Sequence, residues 1–257
     1  MSADGAGYTA LSHDYIDSPA VRKRYIFEND TEQRAVLTRQ QEARQPQAAQ
    51  LAIFHETVSH YMTALADLAA DEATTGAGEV DRLVDAAVTS NHIDADKAGA
   101  VKAVTAVLAD ALSNGYRQKE LKQVIARANA PLQKVLGEMV RLMAAFDSSV
   151  QDERAAYTRY HRTMLAMAKE GNREPVAAQL VWAEANVVNR AYDERSKAIP
   201  HYVAILNAIA AAHQSLYDNR DKIADKEVLS QLKRQTRKIQ AAYRVVRAGA
   251  DKSKETK

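Results

Sequence analysis

The chain has 257 residues, of which 46% are hydrophobic and 26% are charged, with 9 Gly, 5 Pro and no Cys. This length is sufficient to bury a core in one or two domains, and the composition is unlike that of collagen or of disordered chains. The lack of cysteine excludes disulfides, thiolate metal sites, covalent haem attachment and a cysteine nucleophile. Ala occupies 49 positions, a composition that favours helices.

The formal net charge is +2, which is too balanced to indicate a dedicated nucleic-acid binder. The charge is unevenly distributed, because residues 222–257 carry 11 basic and 4 acidic side chains, a net +7, and the preceding residues carry −5. No apolar run approaches the ~18 residues of a membrane span, and the first residues lack the basic and apolar regions of a secretory signal. The sequence as it stands therefore predicts no membrane-spanning or targeting segment.

The first predicted helices follow a flexible lead, which we assign to residues 1–18. Asp17-Ser18-Pro19 is typical of a helix start, because Ser caps the helix and Pro fits its first position. This helix is predicted to end near Phe27, and a second to run from Thr31 to about Gln45. Pro46 begins or kinks a third helix, so that residues 19–72 form the N-terminal helices of a bundle. The apolar positions of the third helix are Leu51, Phe54, Val58, Met62, Leu65 and Leu68.

Residues 79–129 are predicted to form a smaller helical cap. Its helices are expected from 79 to 90, from 94 to 113 and from 116 to 129, with Asn114-Gly115 as a C-terminal stop.

The strongest pattern in the chain lies between Pro131 and Glu170. Its apolar residues are spaced alternately by four and three residues, which is the spacing of the packed face of a helix in a bundle. We call this face the seam, and Glu153 is its only charged member. A helix of this length would be ~60 Å long, so similar helices should lie against it. The seam consists of Leu132, Leu136, Met139, Met143, Phe146, Val150, Glu153, Tyr157, Tyr160, Met164 and Met167.

Two further helices complete a long-helix bundle predicted for residues 131–248. One runs from Pro175 to about Tyr217, with a kink at Pro200, and a final one spans 225–247; residues 249–257 are expected to be a disordered basic tail. The fold class is therefore all-α: an elongated antiparallel helical bundle with long heptad-patterned helices and a smaller helical cap. The second helix carries the seam Ile199, Tyr202, Leu206, Ile209, His213 and Leu216.

The chain contains partial matches to metal-binding and catalytic motifs, but each match lacks a residue or a spacing that the motif requires. His55 and His60 are five residues apart, about 140° around a helix, whereas a zinc-binding HExxH helix needs a spacing of four. None of the seven histidines has a Glu three residues before it, which disfavours a di-iron bundle. Four seam methionines and His161 are possible ligands of a soft metal or haem, but gap-filling in the core explains the methionines without one. We therefore predict no catalytic residue and no cofactor.

Glu153 and His213 are the candidate polar residues of the two seams. Such a residue either pairs with a side chain of a facing helix or fixes the register between helices. The basic C-terminal helix is the candidate interaction surface, because its cations could contact an anionic membrane or a phosphate backbone; the alternative is an ordinary solvated face. Its basic residues are Lys233, Arg234, Arg237, Lys238, Arg244 and Arg247.

Three features of the sequence carry a family resemblance: the small-residue lead Ser2 to Gly7, the segment from Tyr8 to Pro19 followed by Arg22 and Tyr25, and the Ala-rich helices after it. In these features the chain resembles the mature parts of uncharacterised α-helical exported proteins and lipoproteins of proteobacteria. The resemblance implies a periplasmic or membrane-tethered bundle if a signal or lipobox preceded the chain. Without such a segment, we expect the protein in the cytoplasm.

We expect a non-catalytic scaffold or partner-binding protein, plausibly at the cell envelope, with a protein partner and the capacity to form oligomers. The alternatives are an electrostatic binder of an anionic membrane or nucleic acid, nucleic acid being disfavoured by the charge balance, and a bundle that binds a cofactor or ligand.

Overall fold

The computed structural model of the chain describes residues 15–70, 95–113, 121–169 and 175–222, and it contains no strand within these ranges. The described chain forms α-helices that pack against one another, so the predicted all-α helical bundle is confirmed. The helices are α1 (15–23), α2 (Thr31–Ala70), α3 (Ala95–Ser113), α4 (Leu121–Lys169) and α5 (Pro175–Asp218), followed by a 3₁₀ turn at Arg220–Lys222.

The turn between α1 and α2 is held by two side chains that satisfy helix ends. Asp30 caps α2, because its Oδ1 accepts the backbone N–H of Gln33 at 3.1 Å. Arg34 reaches back from α2, and its Nη1 donates to the carbonyl of Lys23 at 3.1 Å. Both ends are thus bonded locally, and the chain reverses within a few residues.

Four of the described prolines lie inside helices rather than at their starts, the first of them being Pro19 in α1. The break predicted before Pro131 is wrong, since α4 continues through it, and α2 and α5 likewise continue through Pro46 and Pro200. A proline costs an isolated helix about 3 kcal/mol, partly through a lost backbone hydrogen bond. Tertiary packing offsets this cost at Pro131, because the flanking side chains of Ala128 and Leu132 are both fully buried.

The segment predicted as an N-terminal lead overlaps the first helix. Residues 15–18 are already helical, so α1 does not begin at Pro19, and the assignment of these four residues to a flexible lead is wrong. The reason is packing: the ring of Tyr15 stacks on Phe146 with centroids 4.1 Å apart, and Tyr15 and Ser18 are both buried. Residues 1–14 lie outside the described part of the chain.

The predicted cap is only partly recovered. Helix α3 matches the helix expected from 94 to 113, but residues 121–129 belong to the long helix α4 rather than to a separate short one. The expected elements at 79–90 and 225–247 and the tail at 249–257 lie outside the described residues.

The chain divides into two compact units. Within the described residues, unit 1 contains 15–48, 143–169 and 175–201, and unit 2 contains 49–70, 95–113, 121–142 and 202–222. Helices α2, α4 and α5 therefore each contribute to both units.

Helices α4 and α5 are antiparallel neighbours, as predicted. In both units, a later residue of α4 contacts an earlier residue of α5, as expected for antiparallel helices. Helix α2 is parallel to α5 in unit 2, because a later residue of α2 contacts a later residue of α5. These contacts are Gln151 with Ser196 and Arg154 with Asp193 in unit 1, and Gln133 with Ala210, Asn129 with Gln214, His55 with Tyr202 and Tyr61 with His213 in unit 2.

The predicted seams are largely the buried faces. Every seam residue of α5 from Ile199 to Leu216 is buried, and the α4 seam is buried or half-buried as far as Met164. Two assignments are wrong. Met167 is 60% exposed, and Tyr61, rather than Met62, is the fully buried residue of α2. Tyr61 lies three residues after Val58 and four before Leu65, which continues the packed face of that helix.

Candidate functional site

Glu153 lies at the centre of a buried polar cluster in unit 1. Its side chain accepts a hydrogen bond from the hydroxyl of Tyr192 at 2.8 Å and from Nη1 of Arg195 at 3.3 Å, both from the facing helix α5. Glu153 and Tyr192 are only 3% and 2% exposed. The arginine partner expected for a carboxylate in an apolar seam is therefore present, and its charge compensates the buried carboxylate.

Aromatic residues surround this cluster. Burial and the negative charge of Glu153 raise the pKa of Tyr192, and burial is the largest cause of the raised pKa of Tyr25. Burial likewise raises the pKa of Tyr157 to about 12. All three hydroxyls therefore remain protonated near neutral pH, which makes them hydrogen-bond donors rather than nucleophiles.

His213 is part of a second polar cluster, in unit 2, and shares no contact with Glu153. Its Nε2 is 2.6 Å from the hydroxyl of Tyr61, and its Nδ1 is 2.9 Å from Oδ1 of Asn129. Asn129 donates in turn to Gln214 at 2.9 Å, and Gln214 donates to Asp218 at 2.9 Å. A chain of hydrogen bonds thus extends from the buried Tyr61 to an exposed carboxylate.

The direction of this chain follows from Asp218, because a carboxylate can only accept. Gln214 therefore uses its amide N–H groups toward Asp218, and its oxygen accepts from Asn129. The oxygen of Asn129 must then accept from Nδ1–H of His213, which leaves Nε2 to accept from Tyr61. His213 is neutral in this arrangement, and burial lowers its pKa to about 4.

A second histidine of unit 2 also occupies a packed position. His55 is buried, with its Nδ1 3.2 Å from the hydroxyl of Tyr202, and burial lowers its pKa to about 4. Among the residues that the structure describes, no three histidine or acidic side chains are grouped so as to hold a metal ion. The seam methionines Met139 and Met143 are buried in the core.

The partners of Glu153 and His213 were missed in the sequence, although the signal was present. Continuing the α5 seam backward from Ile199 by four and then three residues gives Arg195 and Tyr192. One step of three before Leu132 in the α4 seam gives Asn129. The sequence predicts the polar seam residues Glu153 and His213, but their partners are polar residues that lie beyond the apolar stretch of each seam.

The first part of α5 has an uncovered apolar face, which the sequence analysis also missed. None of the side chains from 175 to 191 is buried, and the exposed fractions reach 69% for Val176, 67% for Leu180 and 63% for Trp182. We call Val176, Leu180, Ala183 and Val187 the apolar stripe, since their spacing of four, three and four places them along one face.

The same segment has a second apolar face. Ala178, Val181, Ala185 and Val188 are half-buried and lead at steps of three and four into the buried Tyr192. This face continues the packed seam of α5, and at 3.6 residues per turn it is about 150° from the apolar stripe. A helix that is apolar on two opposite faces normally packs on both.

The basic residues from Lys233 to Arg247, the candidate interaction surface of the sequence analysis, lie outside the described residues. None of the described helices is long and apolar enough to cross a membrane.

Comparisons with protein-family models, with curated proteins and with solved structures found no match to this chain.

Proposed function

We propose that this protein is a non-catalytic helical-bundle scaffold that binds a partner protein through the apolar stripe of α5. The proposal rests on one observation: the stripe exposes large apolar side chains on a segment whose opposite face already packs in unit 1. The apolar area that the stripe exposes is on the order of 300 Å², the size of surface patches that often have a function.

The partner surface that fits best is the apolar face of an amphipathic helix. Anchors spaced by three and four residues on one helix match those on another, which is the helix-in-groove mode of recognition. Gln179 and Asn186 lie on one flank of the stripe, whereas the exposed Glu184 lies on the other and the exposed Arg190 follows Val187 at its end. Binding should therefore depend mainly on apolar contact, and the two edge charges should add a modest dependence on salt concentration.

The two buried polar clusters are consistent with a structural role. Each polar side chain of the His213 chain already has a partner, and Glu153 is compensated by Tyr192 and Arg195. Clusters satisfied within the fold help to fix helix register.

The test uses the double variant Val176→Glu/Leu180→Glu. A photo-crosslinking residue at position 180 should capture a partner in the source cells, whereas the same residue at position 186 should not. The purified partner should then bind the unaltered protein and lose at least about tenfold in affinity for the double variant. The matched control Gln179→Glu/Asn186→Glu adds the same charge beside the stripe and should bind normally.

Trp182 provides a control measurement, because it is the only tryptophan of the chain and lies about 130° around the helix from the centre of the stripe. Its fluorescence emission should stay unchanged when a partner covers the stripe alone. Equal crosslinking from positions 180 and 186, or a partner that binds the double variant and the unaltered protein alike, would overturn the proposal.

A further inference from the structure

Unit 1 also contains an aromatic groove, formed by the residues after α1 and the side of α4 that faces them. The groove has a volume of about 360 Å³. Tyr25, Phe27 and Tyr160 line it, with the ring centre of Tyr160 5.8 Å from that of Tyr25 and 6.3 Å from that of Phe27. Phe27 is 55% exposed, so an aromatic wall is open to a ligand.

Two guanidinium groups line the same groove. Nε of Arg22 is buried and has no hydrogen-bond acceptor among the described residues, although Nη1 of the same side chain is 3.7 Å from the carboxylate of Asp152. The side chain of Arg159 is exposed and forms no ion pair or hydrogen bond within the described chain.

The acidic residues of the groove already have partners. Asp30 caps α2 through its bond from the N–H of Gln33, and Asp152 faces Arg22. Within the described chain, no acidic side chain compensates the charge of Arg159. An anionic group in the groove, beside the side chains of Arg22 and Arg159 that line it, would supply the missing charge.

We propose that this aromatic groove binds a small aromatic acid. The ring of the ligand lies against Phe27 and Tyr160, and its carboxylate accepts hydrogen bonds from the exposed guanidinium of Arg159. Stacking of the ring on the aromatic wall and charge-assisted bonds to the carboxylate together determine the specificity. This site is separate from the apolar stripe and independent of the function proposed for it.

A second, more open groove on α4 provides the control. It is lined by Arg154, Arg159 and Arg162 but by no aromatic residue. Arg162 does not line the aromatic groove, and like Arg159 it is exposed and has no ion pair within the described chain. A matched pair of substitutions on one helix therefore distinguishes the two grooves.

The experiment measures binding of naphthalene-2-carboxylate, naphthalene-2-carboxamide and inorganic phosphate to the full chain by ligand-observed NMR and calorimetry. We expect saturable binding of the carboxylate, about tenfold weaker binding of the amide, and no saturable binding of phosphate. Arg159→Gln should weaken carboxylate binding about tenfold and Phe27→Ala to a similar extent, whereas Arg162→Gln should leave it unchanged. Circular dichroism of each variant checks that the fold is retained.

Three results would overturn the inference. Equal binding of the amide and the carboxylate would indicate apolar contact alone, and binding of phosphate as tight as that of the carboxylate would indicate charge alone. An equal loss in Arg162→Gln and Arg159→Gln would place the ligand outside the aromatic groove. The double variant Val176→Glu/Leu180→Glu should bind the carboxylate normally, so this test can fail without affecting the proposal for the apolar stripe.

Discussion

The two units bury polar groups in different ways. Unit 1 buries a charge, since the carboxylate of Glu153 is compensated by Arg195 and bonded by Tyr192. Unit 2 buries neutral groups, and a directed chain of hydrogen bonds connects Tyr61 through His213 to the surface. The units should therefore differ in their response to the loss of a partner and in their response to acid.

This difference has a physical cause. A buried charge is costly to desolvate, so removal of either partner leaves an uncompensated charge. A neutral chain has a smaller desolvation cost, but it depends on His213 remaining unprotonated, because a protonated Nε2 could no longer accept from Tyr61. Unit 1 should thus be the more sensitive to a broken pair, and unit 2 to low pH.

The largest expected effect of a single substitution comes from Glu153→Ala in unit 1. The substitution leaves Arg195 without its carboxylate and opens a cavity, and we expect the free energy of unfolding to fall by about 3 kcal/mol. Urea unfolding followed by circular dichroism measures this change. The control Asp193→Asn removes an exposed α4–α5 pair, with Arg154, and should cost less than about 1 kcal/mol. Equal costs for the two variants would contradict the importance of the buried pair.

The acid response of unit 2 gives the next effect. Burial lowers the pKa of His213 from its ordinary value of 6.5 to about 4 in the folded state, so its stabilising contribution is present above pH 6.5 and is lost as the pH falls toward 4. The loss should reach roughly 3 kcal/mol for this residue, and His55 should add a similar loss. Urea unfolding between pH 7.5 and pH 4 measures this dependence.

His213→Gln should remove about half of the acid dependence, because Gln can accept from Tyr61 and donate to Asn129 without gaining a proton. His201→Gln is the matched control, since His201 is exposed on the same helix. An unchanged pH dependence in His213→Gln would refute the role assigned to this histidine.

A pair of tyrosine substitutions compares the two clusters directly. Tyr192→Phe removes a hydrogen bond to a charged acceptor and should cost about 2 kcal/mol, whereas Tyr61→Phe removes one to a neutral acceptor and should cost about 1 kcal/mol. Thermal unfolding of the two variants at pH 7.5 measures the difference. The reverse order would show that the Glu153 cluster is not the more strongly bonded of the two.

The smallest effect is expected at the exposed end of the chain in unit 2. Asp218→Asn keeps an oxygen that accepts from Gln214, so the direction of all the bonds is preserved and stability should change by less than about 0.5 kcal/mol. Urea unfolding again provides the measurement. A larger loss would mean that the charge of Asp218, rather than its oxygen, fixes the chain.

The sequence predicted the core of the helices well where apolar periodicity was sustained. The α5 seam from Ile199 to Leu216 is buried throughout, and the polar seam residues Glu153 and His213 are buried as well. Helix boundaries were predicted less well, because local signals at Ser18-Pro19 and Pro131 were outweighed by packing. The apolar stripe was not recognised, since exposure depends on which side of the helix has a neighbour.

The sequence by itself determined the all-α fold and the faces along which its long helices pack, because helix propensity and a three-four apolar period are properties of the local chain. Only the tertiary structure decided which partner meets each buried polar group, which prolines a helix tolerates and which apolar face remains uncovered. These outcomes depend on contacts between residues far apart in the chain, such as Glu153 with Tyr192 and Tyr61 with His213. Local patterns do not specify such contacts until the helices are placed against one another.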